Sequence, residues 1–287
     1  MRKFKEFIIE KLILICGLAS IFFVILIFLF LLKEGLAVFK TVSPFKFLLG
    51  KNWYPISEPP HLGILPLIIG SLVVTLGAAI ISVPIGVACA VYIAEIVPLK
   101  TKEILKSGIE LLAAIPSVVL GFIGMVTLVP WVKSTFNLPT GLTALSGSIM
   151  LAFMAMPTIV SIAEDALYSI PKSYKEGALA LGATHWQAIY RVMLPAASSG
   201  ILAAVMLGIG RVIGETMAVM MITGNAANLP HSLLQPVRTL TATIAAEMGE
   251  AVVGSEHYFA LFAIGIVLFI ISFIINVTAD LFLHKRQ

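Results

Sequence analysis

Charge is scarce in this chain of 287 residues: 12% are Asp, Glu, Lys or Arg, while 59% are hydrophobic and the mean hydropathy is +1.05. Soluble domains carry about one quarter charged residues, so this deficit excludes an ordinary soluble domain and assigns the chain to a bilayer. Cysteine is nearly absent. Cys16 and Cys89 both fall in apolar runs, with no CxxC and no histidine at ligand spacing, which argues against a disulfide framework or a metal site. The five histidines (His61, His185, His231, His257 and His284) lie near expected membrane boundaries, in loops or in the C-terminal tail. They read as interfacial or solvated side chains, since none has a second ligand at suitable spacing. The net charge is only +4, and its lysines and arginines are scattered. With no basic stripe interleaved with aromatics, no nucleic-acid partner is expected.

Catalytic motifs are missing as well. "LLGKNWY" contains a Gly-Lys pair, Gly50-Lys51, but no G-x-x-x-x-G-K-[ST] surrounds it, so no P-loop is expected. HExxH and GxSxG are absent. The chain is therefore expected to be neither an ATPase nor a hydrolase and to need no cofactor. An active transporter built from it would draw its energy from another subunit.

Long apolar runs are what the chain does have. A bilayer crossing takes about 20 apolar residues, and six segments qualify: Leu12–Leu32, Leu65–Ala94, Leu111–Val132, Leu142–Ala163, Ala196–Thr223 and Tyr258–Leu283. The first is too long for a signal-peptide core and is read as a retained span. Pro84, Pro116 and Pro157 fall inside predicted spans, as kinks that a helix bundle tolerates. The expected fold class is an all-α integral membrane protein with six transmembrane helices. Residues 1–62 form an N-terminal tail, first span and external loop, and residues 63–287 a five-span core. No fold-spanning internal repeat is visible, which counts against an inverted-repeat carrier.

Lysine and arginine set the orientation. One side carries 12 of them (Arg2, Lys3, Lys5, Lys11, Lys100, Lys102, Lys106, Lys172, Lys175, Arg191, Lys285, Arg286), and the other carries 6 (Lys33, Lys40, Lys46, Lys51, Lys133, Arg238). The richer side is expected to be cytoplasmic, and with it both termini. The first external segment, 33–64, reads as a solvated loop with Trp53 and Tyr54 at headgroup level, or as a docking surface. The segment 224–257 is expected to hold a helix from about Leu240 to Ala251, with Glu247, Glu250 and Glu256 as solvated acidic surface.

The cytoplasmic segment Glu164–Pro195 is too orderly for a linker. Ser173 with Glu176 fits a capping box, Gly182 is a natural helix stop, and Thr184 with Gln187 fits a second box. Pro195 lets the next span begin. Two short capped helices would make a rigid protrusion, fit either to pack on the bundle or to enter a partner's groove.

Span five contains "GIGRVIGETMAVMMITG", with Arg211 and Glu215. At 1.5 Å per residue Arg211 lies about 22 Å along that span, and an arginine at mid-membrane costs at least about 2.5–3.5 kcal/mol. Four residues apart on one helix, the two share a face. Three readings are open: a structural ion pair, a proton relay, or a guanidinium fork offered to an oxyanion, with Glu215 orienting it. The other spans show no clear titratable group at that depth, which disfavours the relay. Gly210 and Gly214 leave room beside the pair, and Thr216 and Thr223 add hydroxyls.

"EGALALGATHWQAIYRVMLPAASSGI" resembles the EAA loop of ABC-importer permeases through Glu176, Ala178, Gly182, Leu194 and Pro195; Gly177 replaces the usual alanine and stays small. "AAIPSVVLGF", "GRVIGETMAVMMITGN" and "RTLTATIAAEMGEAVVGSEHYFALFAIG" are similar to phosphate permeases of the PstC type, with Met217-Ala218 where the PstA type has Ala-Pro. The resemblance implies a type I ABC importer permease fold and a coupling helix seated on an ATPase. It also implies a PstA-like partner, a PstB-like ATPase dimer, an external PstS-like phosphate-binding protein, and substrate passage at Arg211. With it, the oxyanion reading is preferred. Another oxyanion or a phosphonate is the nearest alternative, and a proton-coupled carrier a more distant one.

Overall fold

The computed structural model describes residues 2–284, so Lys285 and Arg286 of the charge count lie outside the described residues. The chain is almost wholly helical, because a backbone in lipid must bond within its own segment. Helix α1, Arg2–Gly35, ends in a tight turn at Leu36–Lys40. A short unit on the predicted external side follows: α2, Pro44–Leu49, and a two-stranded hairpin, β1 (Trp53–Tyr54) against β2 (His61–Leu62). Then come α3, Leu65–Glu95; α4, Leu99–Ala114; α5, Ser117–Val126; α6, Leu128–Thr135; and α7, Ala144–Tyr168. On the predicted cytoplasmic side lie α8, Lys172–Ala180, α9, His185–Ala188, a π-type turn at Ile189–Met193, and α10, Leu194–Ala196. Finally come α11, Ser198–Ile213; α12, Met217–Ile222; α13, Leu240–Glu247; and α14, Glu256–His284, which places His284 in the last helix rather than in a tail.

Among the described residues, five helices or helix pairs are long and apolar enough to cross a membrane, and a sixth crossing results if the segments His185–Ala196 and Ser198–Ile213, bent by 70°, count together. Two predicted spans need correction. The span drawn as Leu111–Val132 is interrupted: Ile115 and Pro116 are extended, α4 ends before them, and the crossing is Ser117–Thr135. Proline pushes the residue before it out of helical geometry, so Pro116 is a boundary rather than a kink. Span five is not one helix from Ala196 to Thr223, because it breaks at residues 214–216.

The centre of the bundle is α7, which packs along α3 and α11. Val74, Ala78, Leu151, Ala155 and Ile159 form its buried seam. Gly86 of α3 and Gly208 of α11 both press on Ile159, where an added Cβ would come within 2.9 and 2.5 Å of its side-chain carbons. Small residues let helix backbones approach in a bilayer. Helix α1 packs against α14 through Phe28–Phe269 and Phe30–Phe262 ring contacts.

The external unit is not a solvated loop. Phe47, Trp53, Leu62 and Ile64 are buried with Leu240, Leu261 and Ile264. Trp53 is only 2% exposed, so it is a core residue and not a headgroup anchor, whereas Tyr54 is exposed. The indole N–H of Trp53 donates to the Glu247 carboxylate (3.1 and 3.2 Å), which also takes the Arg238 guanidinium and lies 2.8 Å from His257 Nε2. Glu247 was expected in solvent, and His257 at the interface or in solvent. They are instead mostly buried, because α13 turns the carboxylate inward onto three donors. Glu250 stays exposed, as expected.

A second cluster was missed. Glu164 lies in α7, with a side chain only 3% exposed; Lys102 and Lys106 of α4 pair with it, and Lys106 also reaches Asp165 at 2.6 Å. The Lys106 bond to Asp165, then that to Glu164, holds its ammonium charged and pushes its pKa well above the ordinary lysine value, with burial opposing. A raised lysine pKa gives stability that is complete below the unfolded-state value of 10.5 and lost as pH rises through the folded one. Lys106→Met should therefore lower the thermal midpoint of the detergent-solubilised chain equally at about pH 6 and about pH 9. A loss that differs between those two conditions would contradict this assignment.

Candidate functional site

Arg211 stands in the last turn of α11. The negative end of the helix dipole favours a cation there. The break that follows is held by hydroxyls: Thr216 donates to the Gly214 carbonyl (3.1 Å), and Thr241 of α13 donates to the Glu215 carbonyl (2.8 Å). Such side-chain bonds are how a membrane helix satisfies carbonyls freed by an interruption.

The break separates the predicted pair. Glu215 is not on the face of Arg211; its Oε1 accepts from the Ala218 amide (3.2 Å) and so caps the start of α12. Among the described residues, no carboxylate lies within ion-pair distance of Arg211. The shared-face reading assumed a continuous helix, and residues 214–216 rotate Glu215 away. The Arg211 guanidinium meets Thr158 of α7 instead, donating to its hydroxyl at 3.3 Å. Thr158 was not nominated from the sequence. Its only signal there is a position next to Pro157, inside a predicted span.

Arg211 lines a cavity of about 500 Å³, whose walls include Leu120, Ile123, Trp131, Phe153 and Met154 of α5, α6 and α7. The arginine is exposed on this surface, as are Gly210 and Gly214 beside it. A Cβ on Gly210 would meet nothing within 4 Å. Thr223, by contrast, is fully buried and donates to the Val219 carbonyl, so it takes no part in the site. Chemically, this is a mostly apolar opening lined by one strong, forked cation and the Thr127 side chain, with the Thr158 hydroxyl bonded to that cation, a donor set that suits an oxyanion.

The second candidate surface is the α8–α10 segment. No residue of α8 is buried. The helix begins at Lys172 after an extended Pro171, so Ser173 lies within its first turn and makes no capping bond, contrary to the expected box with Glu176. Gly182, at φ +88°, ends it. The Gly182 amide bonds to the Leu179 carbonyl and the Ala183 amide to the Ala178 carbonyl, the paired closure that a left-handed glycine permits. Leu181 at the tip is 91% exposed. The Thr184–Gln187 box is present in both directions. Leu194 and Pro195 lie at the 70° bend that leads into α11. Proline cannot supply the amide that the Arg191 carbonyl would take in an α-helix, which accounts for the irregular turn before it. Exposed Glu176, Gly177 and Gly182, with half-buried Ala178, thus form one ledge, joined through Leu194 and Pro195 to the helix that bears Arg211.

Comparison with known proteins accords with this geometry. The family described as "Binding-protein-dependent transport system inner membrane component" matches residues 82–286. A Bacillus subtilis protein named "Probable ABC transporter permease protein YqgH" is 44% identical, over 90% of this chain and 84% of its own length. "Phosphate transport system permease protein PstC" of Mesorhizobium japonicum is 35% identical, over 84% of this chain and 79% of its own. Among solved structures, a bacterial alginate ABC transporter in complex with its pentasaccharide-bound periplasmic protein superposes with TM-score 0.64 at 16% identity, covering 94% of this chain and 93% of that one. The MetNI methionine ABC transporter gives TM-score 0.63 at 19% identity, covering 81% and 100%. At such identities the structures establish the fold alone, the ABC importer permease fold. The chain therefore belongs to the family of binding-protein-dependent transport system inner membrane components, and within it to the permeases of the PstC type.

Proposed function

We propose that this chain is the permease subunit of an ATP-driven importer of inorganic phosphate, with both termini and the α8 ledge in the cytoplasm. Residues 63–287 act as the permease core. It lines the pathway together with a PstA-like subunit, whose surface covers the exposed face of Arg211. A PstB-like ATPase dimer supplies the energy, since no nucleotide motif is present in this chain, and a PstS-like binding protein delivers phosphate outside. The exposed Ile56, Val252 and Val253 beside the Glu247 cluster suit contact with that protein.

The observation that carries the reading is Arg211 on the wall of a largely apolar cavity, with no ion-pair partner among the described residues and Thr158 as its hydroxyl partner. In the cycle we propose, ATP closes the ATPase dimer, the α8 ledge moves, and the bend at Leu194-Pro195 passes that motion to α11. Phosphate then exchanges onto Arg211 and leaves inward. With a single cation and no deep cage, it is held only in passing. Thr216 braces the break, and Glu215 keeps α12 in place. The second reading, another oxyanion or a phosphonate, draws on the 44% identical relative, whose name gives no substrate. ATP-driven uptake by the reconstituted four-component complex, with sulfate and methylphosphonate as competitors, separates the two. Competition by methylphosphonate as strong as that by phosphate itself would overturn phosphate as the cargo.

Gly182→Val tests the ledge. At φ +88° a β-branched residue is strained and should cost roughly 1–2 kcal/mol, enough to reorient the helix end. Together with Glu176→Ala it is expected to abolish co-purification of the ATPase while the chain still inserts. Undiminished co-purification would remove the coupling role.

A further inference from the structure

The coupling ledge is tied to the bundle at a point that the family motif does not include. Lys175 of α8 donates to Glu95 Oε2 at 2.5 Å. Glu95 is the last residue of α3, and its side chain is 8% exposed, against 27% for Lys175. A rim ion pair contributes little, but a carboxylate this deep is stranded if its partner leaves. The other charged groups facing it are Lys172 and Glu176, which line the same cleft from α8. Among the described residues, no other ion pair joins α8 to a membrane helix.

What stands behind Glu95 gives the contact its consequence. Helix α3 packs along α7, with Gly86 against Ile159 and Gly77 against Ser148. The two helices form one slab, and the slab carries Thr158, the hydroxyl that meets Arg211. The chain itself leaves α8 at both ends, back into α7 through residues 169–171 and onward through the bend into α11. The ion pair adds a side-chain tie to the α3 end of the slab beside the short 169–171 link, so the routes from the ledge end on the two partners of the same hydrogen bond.

We propose that Lys175–Glu95 is a strut that transmits displacement of the coupling helix to the α3–α7 slab, so that Thr158 and Arg211 are moved in step. Lys175 and Glu95 are positioning residues and neither touches substrate. This rests on the proposed coupling role of α8. The test uses the full complex in proteoliposomes, with ATP hydrolysis, phosphate uptake and ATPase co-purification measured on each variant. Glu95→Gln is expected to keep the ATPase bound and hydrolysing, while phosphate moved per ATP falls at least about fivefold, the low end of inter-site coupling. The exchange Glu95→Lys with Lys175→Glu should restore at least half of the wild-type ratio. If the single variant does not accumulate, recovery of both accumulation and transport ratio by the exchange supports the strut, and failure of the exchange overturns it. An unchanged ratio in Glu95→Gln also overturns it, as does loss of the ATPase from that variant, which would make the pair a docking element. Failure of the underlying reading looks different: the wild-type complex itself would show no ATP-driven phosphate uptake, or the ATPase would ignore the Gly182 and Glu176 changes.

Discussion

Arg211→Gln is expected to abolish ATP-driven phosphate uptake in the reconstituted complex while leaving its assembly intact. Among the described residues the guanidinium is the one charged group lining the cavity, and its hydrogen bond to a neutral hydroxyl leaves the rest of the fork open. A hydrogen bond to a charged group contributes about 1.5–3 kcal/mol, so losing a bidentate pair should lower transport by at least about tenfold. Removing the charge should not unfold the chain, because no buried carboxylate depends on it among the described residues. That separates the expected result from an assembly defect. Glu215 supplies the control. Glu215→Gln keeps an oxygen for the Ala218 amide and should transport nearly normally, whereas Glu215→Leu loses the cap at a cost of about 1 kcal/mol. If Arg211→Gln transports normally, the guanidinium is not in the path. If Glu215→Gln is as defective as Arg211→Gln, the two act as a pair after all.

Glu247→Leu should produce the largest loss of stability. Its carboxylate holds Trp53, Arg238 and His257 together, and the Arg238 Nε is already buried without an acceptor. Removing the anion leaves a mostly buried guanidinium uncompensated, a defect that typically costs about 3–5 kcal/mol. Because these residues bridge the first external unit, α13 and the start of α14, the effect should centre on the outer face. Expected are a thermal midpoint lower by about 6–15 °C and a red-shifted Trp53 emission in a variant whose other two tryptophans are replaced by phenylalanine. ATPase binding on the opposite face should survive. A stable Glu247→Leu chain with unshifted Trp53 emission would show that the cluster is not a structural hub.

Much of this architecture was legible without coordinates. Apolar run length gave the crossings, because a bilayer admits little besides a helix of about 20 residues. Gly182 and the Thr184–Gln187 box marked the ledge, because helix ends are written in local residue chemistry. Pro116 was the local signal that was misread: taken as a tolerated kink, it ends one helix and starts the next.

The contacts that give the site its character are not local. "GRVIGET" has the residues of a four-residue ion pair, but whether the helix continues through Gly214 depends on Thr241, which comes from another element to take the Glu215 carbonyl. Thr158 is 53 positions from Arg211, Glu247 is 194 from Trp53, and Lys175 is 80 from Glu95. The sequence by itself determined which residues must leave lipid and where helices stop, since transfer energies and capping act within a few residues. Only the tertiary structure decided the partner of each charge, because a buried charge bonds to whatever donor or acceptor the packing of distant helices brings within about 3 Å.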